Sequence, residues 1–148
     1  MNLRSFDPLH IVAAHLVVIV AVIHLALGVS NWLTYLSGGI LFPPDLRWPL
    51  FVVSGLALVG GLVAVIAGAE RRPLYLAGIG LMVVYVVGYF AWHAGGHRPL
   101  FFAGPGTHHH GSTLAYLAAH VVAGPAETLA LASETALAVV LGYLLYRE

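Results

Sequence analysis

Four segments of this chain are long and apolar enough to cross a lipid bilayer, and they constrain the fold more than any other feature. They run over about 9–29, 49–69, 73–93 and 126–146, and a spanning helix needs about 20 consecutive apolar residues. Of all residues, 60% are hydrophobic and only 8% are charged, against about 25% charged in soluble domains. The sequence therefore predicts an all-α integral membrane protein, a four-helix bundle that forms a single transmembrane domain over 1–148.

A fifth, shorter helix is predicted before the last span. The stretch "STLAYLAAHVVAG" offers Ser112 or Thr113 as a helix cap, and about 113–122 is too short to cross a bilayer. We expect this helix to lie at the membrane interface. In helix two, Gly60, Ala64 and Gly68 recur at four-residue spacing, which predicts a face where a neighbouring helix packs closely.

Arginine placement predicts the orientation in the membrane. Positive side chains are enriched in cytoplasmic loops, and with the N-terminus inside four arginines are cytoplasmic and two are outside, namely Arg4, Arg71, Arg72 and Arg147 against Arg47 and Arg98. Both termini are then cytoplasmic. The absence of lysine and the wealth of Ala, Val, Gly and Leu favour a GC-rich prokaryotic genome, so the predicted location is the multi-pass plasma membrane of a prokaryote.

The charge balance and the missing cysteines exclude several function classes. Six basic and six acidic residues cancel, so no net field attracts nucleic acid. Without cysteine there is no disulfide framework and no thiolate metal site. No Gly-rich phosphate loop and no nucleophile elbow is present, and the sequence leaves open whether the chain is an enzyme.

Nine histidines in 148 residues are the unusual feature, and five of them fall in "WHAGGHRPLFFAGPGTHHHG". Ionisable side chains at membrane depth are costly and mark function. We expect such groups from three helices to converge on the outer half of the bundle, with further histidines in the loop above them. The converging groups are His24, His93, Glu127 and Glu134, and the loop histidines are His97, His120, His108, His109 and His110.

Two kinds of cofactor suit these residues. The fourteen-residue interval between His10 and His24 resembles that of the haem ligand pairs in the membrane cytochromes b, although the matching pair on a partner helix is missing. That resemblance implies at most one haem b, between His24 and His93 or His97. Neutral imidazole is also the ligand that copper and zinc favour, so the same residues with the loop triplet could hold either ion. The favoured interpretation of the triplet is that its histidines are solvated and have no role, and pH sensing is a further alternative.

Three hypotheses about function follow. The first, slightly favoured, is a haem b or redox-metal protein for electron transfer, with a quinol as one partner. The second is a protein that binds or transports copper or zinc. The third is a non-catalytic accessory subunit of a larger respiratory or transport complex, and a homo-oligomer is also compatible with the sequence. Asp45 could join an outer metal site, but an ion pair with Arg47 or Arg98 is the favoured interpretation.

Overall fold

The computed structural model of the chain describes residues 7–98 and 112–148. Five helices are present there: α1 (Pro8–Ser37), α2 (Arg47–Ile66), α3 (Arg71–Ala94), α4 (Thr113–Val121) and α5 (Pro125–Arg147). All except α4 are long and apolar enough to cross a membrane. The prediction of an all-α four-helix membrane bundle is confirmed, and a short helix precedes the last span as expected.

Helix α1 begins where its sequence predicts and ends later. The Asp7 carboxylate accepts a hydrogen bond from the Leu9 backbone N–H at 3.0 Å and caps the helix. The predicted end near residue 29 is wrong, because α1 continues to Ser37. Polar side chains in this last stretch hydrogen-bond backbone carbonyls of their own helix, as Ser30 does to Ala26. They therefore need no water, and their polarity does not end the helix.

The four spans alternate in direction, so the bundle has two distinct ends. At the terminal end, Arg147 of α5 forms an ion pair with Asp7 at 2.7 Å. At the opposite end, which we call the histidine end, the Arg47 guanidinium of α2 lies 3.7 Å from the centre of the Trp92 ring of α3. Helix α1 packs against α2 and α5, and α3 packs against α5, whereas α2 and α3 barely touch. A gap therefore opens between α2 and α3.

Glycines allow the close approach of α1 and α2, but they are not the predicted ones. A Cβ on Gly28 would lie 2.8 Å from the Trp48 carbonyl oxygen, and one on Gly55 would lie 2.7 Å from Leu25 Cγ. A Cβ on Gly60 would meet nothing within 4 Å. The predicted packing face at Gly60 is therefore wrong, since the tight helix contact uses Gly28 and Gly55 instead.

Three fully apolar side chains fill the centre of the bundle. Val20 of α1, Met82 of α3 and Leu137 of α5 are each at most 1% exposed. Given the direction of each helix, they form a layer about one turn closer to the terminal end than His24, Tyr85 and Glu134. This apolar layer separates His24, Tyr85 and Glu134 from the terminal end.

Candidate functional site

One polar side chain from each spanning helix meets in the middle of the bundle. His24 of α1 lies 2.9 Å from Ser54 Oγ of α2 through Nδ1, and 2.7 Å from Glu134 Oε1 of α5 through Nε2. The Tyr85 hydroxyl of α3 donates to Ser54 Oγ at 2.9 Å. His24 is 1% exposed and Glu134 is 5% exposed. These four residues, the central polar layer, are hydrogen-bonded to one another across all four spans.

One arrangement of hydrogens satisfies every polar atom of this layer. Ser54 Oγ donates to the Phe51 carbonyl at 3.0 Å and accepts from Tyr85, so its remaining lone pair accepts from His24 Nδ1–H. His24 Nε2 and Glu134 then share one further proton, either as carboxylic acid and neutral imidazole or as carboxylate and imidazolium. Both forms are neutral as a pair, which avoids a net buried charge.

Three histidines form a second group, the three-histidine cluster, at the histidine end. One ligand nitrogen from each of His93, His97 and His120 can be chosen so that all three lie within 4.8 Å of one another. Their ring centroids are 4.8, 4.9 and 5.4 Å apart. The group is triangular, with His93 buried and the other two half-buried. Three imidazoles around one point match the ligand set of a transition-metal ion.

The local backbone orients two of these imidazoles. His93 Nδ1 donates to the Tyr89 carbonyl at 2.8 Å, and His120 Nδ1 donates to the Tyr116 carbonyl at 2.9 Å. A carbonyl oxygen can only accept, so the hydrogen of each neutral ring lies on Nδ1 and the lone pair on Nε2. Metal-ligating histidines have the same arrangement, in which the second ring nitrogen is held by a carbonyl or carboxylate.

The end of α3 brings His97 to the cluster. Gly96 and His97, just beyond the end of α3, both have left-handed backbones, with φ of 80° and 59°. A left-handed conformation is costly for a residue other than glycine, and in it the His97 ring lies 4.8 Å from the His93 ring. The Tyr116 hydroxyl lies 3.1 Å from His97 Nε2. Burial raises the pKa of Tyr116 above its usual 10.0. The protonated hydroxyl can accept a hydrogen bond from His97 Nε2–H, and the Nδ1 lone pair of His97 is then the ligand atom for a metal ion.

A cation and a tryptophan border the cluster. The centroid of the Trp92 ring lies 4.3 Å from that of the His97 ring. The Arg47 guanidinium lies 3.7 Å from the same Trp92 centroid. Arg47 Nε donates to both Asp45 carboxylate oxygens at 2.9 and 3.0 Å. The predicted pairing of Asp45 with arginine is confirmed, and the Asp45 carboxylate is engaged by Arg47.

Tyrosines on α3 connect the level of the cluster with the central polar layer. Tyr85, Tyr89 and His93 follow one another at four-residue spacing, each about 6 Å along the axis. The Tyr89 ring lies 4.1 Å from the His93 ring, and its hydroxyl is buried without a hydrogen-bond partner among the described residues. Glu127 interacts electrostatically with both Tyr89 and His93.

The predicted site residues therefore separate into two groups. His93, His97 and His120 come together, with Glu127 within electrostatic reach. His24 and Glu134 pair with each other in the central polar layer, so the expected convergence of His24, His93 and Glu134 on one point is wrong. The reason is depth: α1 continues to Ser37, which places His24 near the middle of its helix. His108, His109 and His110 lie outside the described residues.

The sequence offered weak signals for the residues that were missed. Ser54 is the one polar side chain in the apolar interior of α2, which indicated a polar contact but not its partners. Tyr116 lies four residues before His120 in the short helix, the spacing that places both on one face. Neither signal identifies which helix lies opposite.

Comparison of the chain with protein-family models, with curated proteins and with solved structures finds no match.

Proposed function

We propose that this membrane protein binds one late transition-metal ion, Cu²⁺ or Zn²⁺, at the three-histidine cluster. The carrying observation is the pair of Nδ1–H hydrogen bonds from His93 and His120 to the Tyr89 and Tyr116 carbonyls. They direct two Nε2 lone pairs into a group whose third imidazole is His97. Neutral imidazole binds copper and zinc well, and three ligands leave a fourth position for water or another donor.

The spacing of the cluster nitrogens predicts a movement on metal binding. Zinc–nitrogen bonds of about 2.0–2.1 Å bring three tetrahedral nitrogens to about 3.4 Å from one another. The nitrogens of the cluster, at up to 4.8 Å, would therefore move inward, and α4 would approach the end of α3.

Metal titration of the purified protein in detergent tests this proposal. We expect calorimetry to show that the wild-type chain binds one Cu²⁺ or Zn²⁺. His93→Ala and His120→Ala should each weaken this binding at least about a hundredfold, because losing a ligand costs at least as much affinity as losing a residue that only orients a ligand. His15→Ala is the matched control, because His15 is exposed and bonds the Ile11 carbonyl of its own helix.

Two results would contradict the proposal. One is unchanged affinity in His93→Ala and His120→Ala. The other is loss of all binding when His108, His109 and His110 are replaced by alanine together while the cluster is intact, because the metal would then belong to the loop triplet.

Haem b is the second candidate, supported by the fourteen-residue spacing of His10 and His24. It requires His24 as an axial ligand, and both ring nitrogens of His24 are hydrogen-bonded to Ser54 and Glu134. An absorption spectrum separates the two candidates, since a Soret band that disappears in His24→Ala supports haem. Stable co-purification with a larger complex and no stoichiometric metal would support the accessory-subunit hypothesis.

A further inference from the structure

The central polar layer has polar residues on the side that faces the histidine end. A step of seven residues is nearly two helical turns, about 10 Å, and stays on about the same face of a helix. Taken towards the histidine end from each member of the layer, this step reaches Asn31, Arg47, Trp92 and Glu127. Each of these side chains carries a hydrogen-bonding group. Every span therefore continues from the layer to a further polar group on this side.

On the side of the terminal end, the same step reaches apolar residues. It leads to Val17, Gly61, Gly78 and Leu141, which all line an apolar groove between α2 and α3. Nearer to the layer lie Val20, Met82 and Leu137, each at most 1% exposed. Because a proton moves between polar groups or water molecules, this side offers it no path.

The surroundings of the His24–Glu134 pair leave its proton to the pair itself. Helix α2 contributes Ser54 and the Phe51 ring, whose centroid lies 4.9 Å from that of His24, and α3 contributes the Tyr85 ring at 4.4 Å. Among the described residues, no arginine and no other carboxylate is hydrogen-bonded or ion-paired to either member. The exchange of the shared proton for another one leaves the pair neutral, so it creates no net buried charge.

Tyr89 places a hydroxyl between the layer and the histidine end. It lies one turn beyond Tyr85 on α3, and its buried hydroxyl has no hydrogen-bond partner among the described residues. Glu127, which is exposed and lies two turns from Glu134 on the same helix, interacts electrostatically with Tyr89. A tyrosine hydroxyl both donates and accepts, so Tyr89 can pass a proton between water at the histidine end and the layer.

We propose that the His24–Glu134 pair is a buried proton-exchange site that opens to the histidine end alone. A proton from water at that end reaches the pair by way of Tyr89, and the shared proton leaves along the same path. Ionisable groups at membrane depth commonly serve as proton relays. This one would hold a proton for reactions at the histidine end without a leak across the membrane. The proposal is independent of the metal, because neither His24 nor Glu134 belongs to the three-histidine cluster.

Nuclear magnetic resonance of the metal-free protein in detergent micelles, with isotopically labelled histidine, tests this proposal. The ring N–H signals that disappear in His24→Gln belong to His24. Their exchange rate is measured by transfer of magnetisation from water, or by loss of signal in heavy water where exchange is slow. We expect Tyr89→Phe to slow this exchange at least about tenfold, because it removes the hydroxyl that passes the proton.

Tyr75→Phe is the matched control, because it removes a hydroxyl from a buried tyrosine of the same helix on the side of the terminal end. It should leave the exchange rate of the His24 ring protons unchanged. If Tyr89→Phe does not give a folded protein by circular dichroism, Asn31→Leu replaces it. That variant removes the polar group two turns beyond His24 at similar volume and should slow the exchange in the same way.

Three results would overturn the proposal. The first is exchange of the His24 ring protons in the wild type that is no faster than that of the buried Val20 and Ala21 amides, because the pair would then be closed to both ends. The second is an unchanged rate in Tyr89→Phe. The third is a slowing by Tyr75→Phe as large as that by Tyr89→Phe, which would place the access at the terminal end.

Discussion

Glu134 and His24 share one proton in the hydrogen bond that joins Oε1 to Nε2 at 2.7 Å. Ser54 is hydrogen-bonded to His24, and Tyr85 donates to Ser54, so the buried pair is connected to α2 and α3 as well. Because each spanning helix contributes one member, the central polar layer fixes how the four helices are rotated relative to one another. A slip of one helix would leave a buried polar atom without a partner.

Replacing Glu134 tests whether its hydrogen bond to His24 stabilises the bundle. Glu134→Ala should lower the free energy of unfolding by about 1–3 kcal/mol, because His24 Nε2 loses its partner in the interior. Glu134→Gln should cost under about 1 kcal/mol, since the amide can donate to Nε2 and interhelical hydrogen bonds in membranes are modest. Reversible unfolding in mixed detergent micelles measures both.

Glu127→Ala serves as the control for this pair of variants, because Glu127 lies on the same helix and is exposed. It should change the unfolding free energy by less than about 0.5 kcal/mol. Equal costs for Glu134→Ala and Glu127→Ala would mean that the buried pair does not stabilise the bundle.

Among the helices, α1 and α2 are packed most closely, and Gly28 sits at their contact. Its absent side chain leaves room for the Trp48 carbonyl and for Phe51 Cβ at 2.9 Å from a Cβ position. Gly28→Ala should therefore force the helices apart and lower the unfolding free energy by about 1–3 kcal/mol. Gly60→Ala has no neighbour to displace and should be neutral or stabilising through better helix propensity.

Thermal unfolding of Gly28→Ala and Gly60→Ala under the same conditions tests which glycine lies at the helix contact. A Gly60→Ala chain that unfolds more readily than Gly28→Ala would show that the small-residue face predicted from the sequence is the true packing surface.

Helix α4 is the least anchored element of the described chain. It has no buried residue, and among the described helices it contacts only α3 and α5. Because His120 is the one cluster ligand on α4, a bound metal would tie α4 to the end of α3. Hydrogen–deuterium exchange should then show the backbone amides of α4 protected at least about tenfold more with Zn²⁺ than without it, whereas His120→Ala should show no such change. Protection of α4 that is independent of His120 would contradict this account.

At the scale of the whole molecule, the sequence was sufficient for the number and position of the spans. Apolar segments of membrane length determine them, and three of the four predicted spans end within three residues of the observed bounds at both ends. The sequence did not predict which helices pack against one another. In a bilayer every face of a helix can be apolar, so periodicity does not reveal which face meets a neighbour.

For the same reason, the sequence predicted only part of the candidate site. Histidines in the segment from Trp92 onward indicated a ligand group, and three of the six candidates that lie in the described part of the chain form one. The pairing of His24 with Glu134 depends on how deep His24 lies in the bundle and on how α1 and α5 are rotated. The depth of His24 was misjudged because α1 is longer than the sequence predicts. The backbone hydrogen bonds that orient His93 and His120 and the left-handed turn at His97 belong to tertiary geometry and to loop conformation.

X-ray absorption at the zinc edge of the metal-loaded protein tests the central claim most directly. The three-histidine cluster predicts one zinc with three imidazole nitrogens at about 2.0–2.1 Å, visible as strong multiple scattering from the rings. His93→Ala should reduce the imidazole count to two or abolish loading. A zinc surrounded by oxygen ligands with one imidazole or none, or a spectrum unchanged in His93→Ala, would contradict the account.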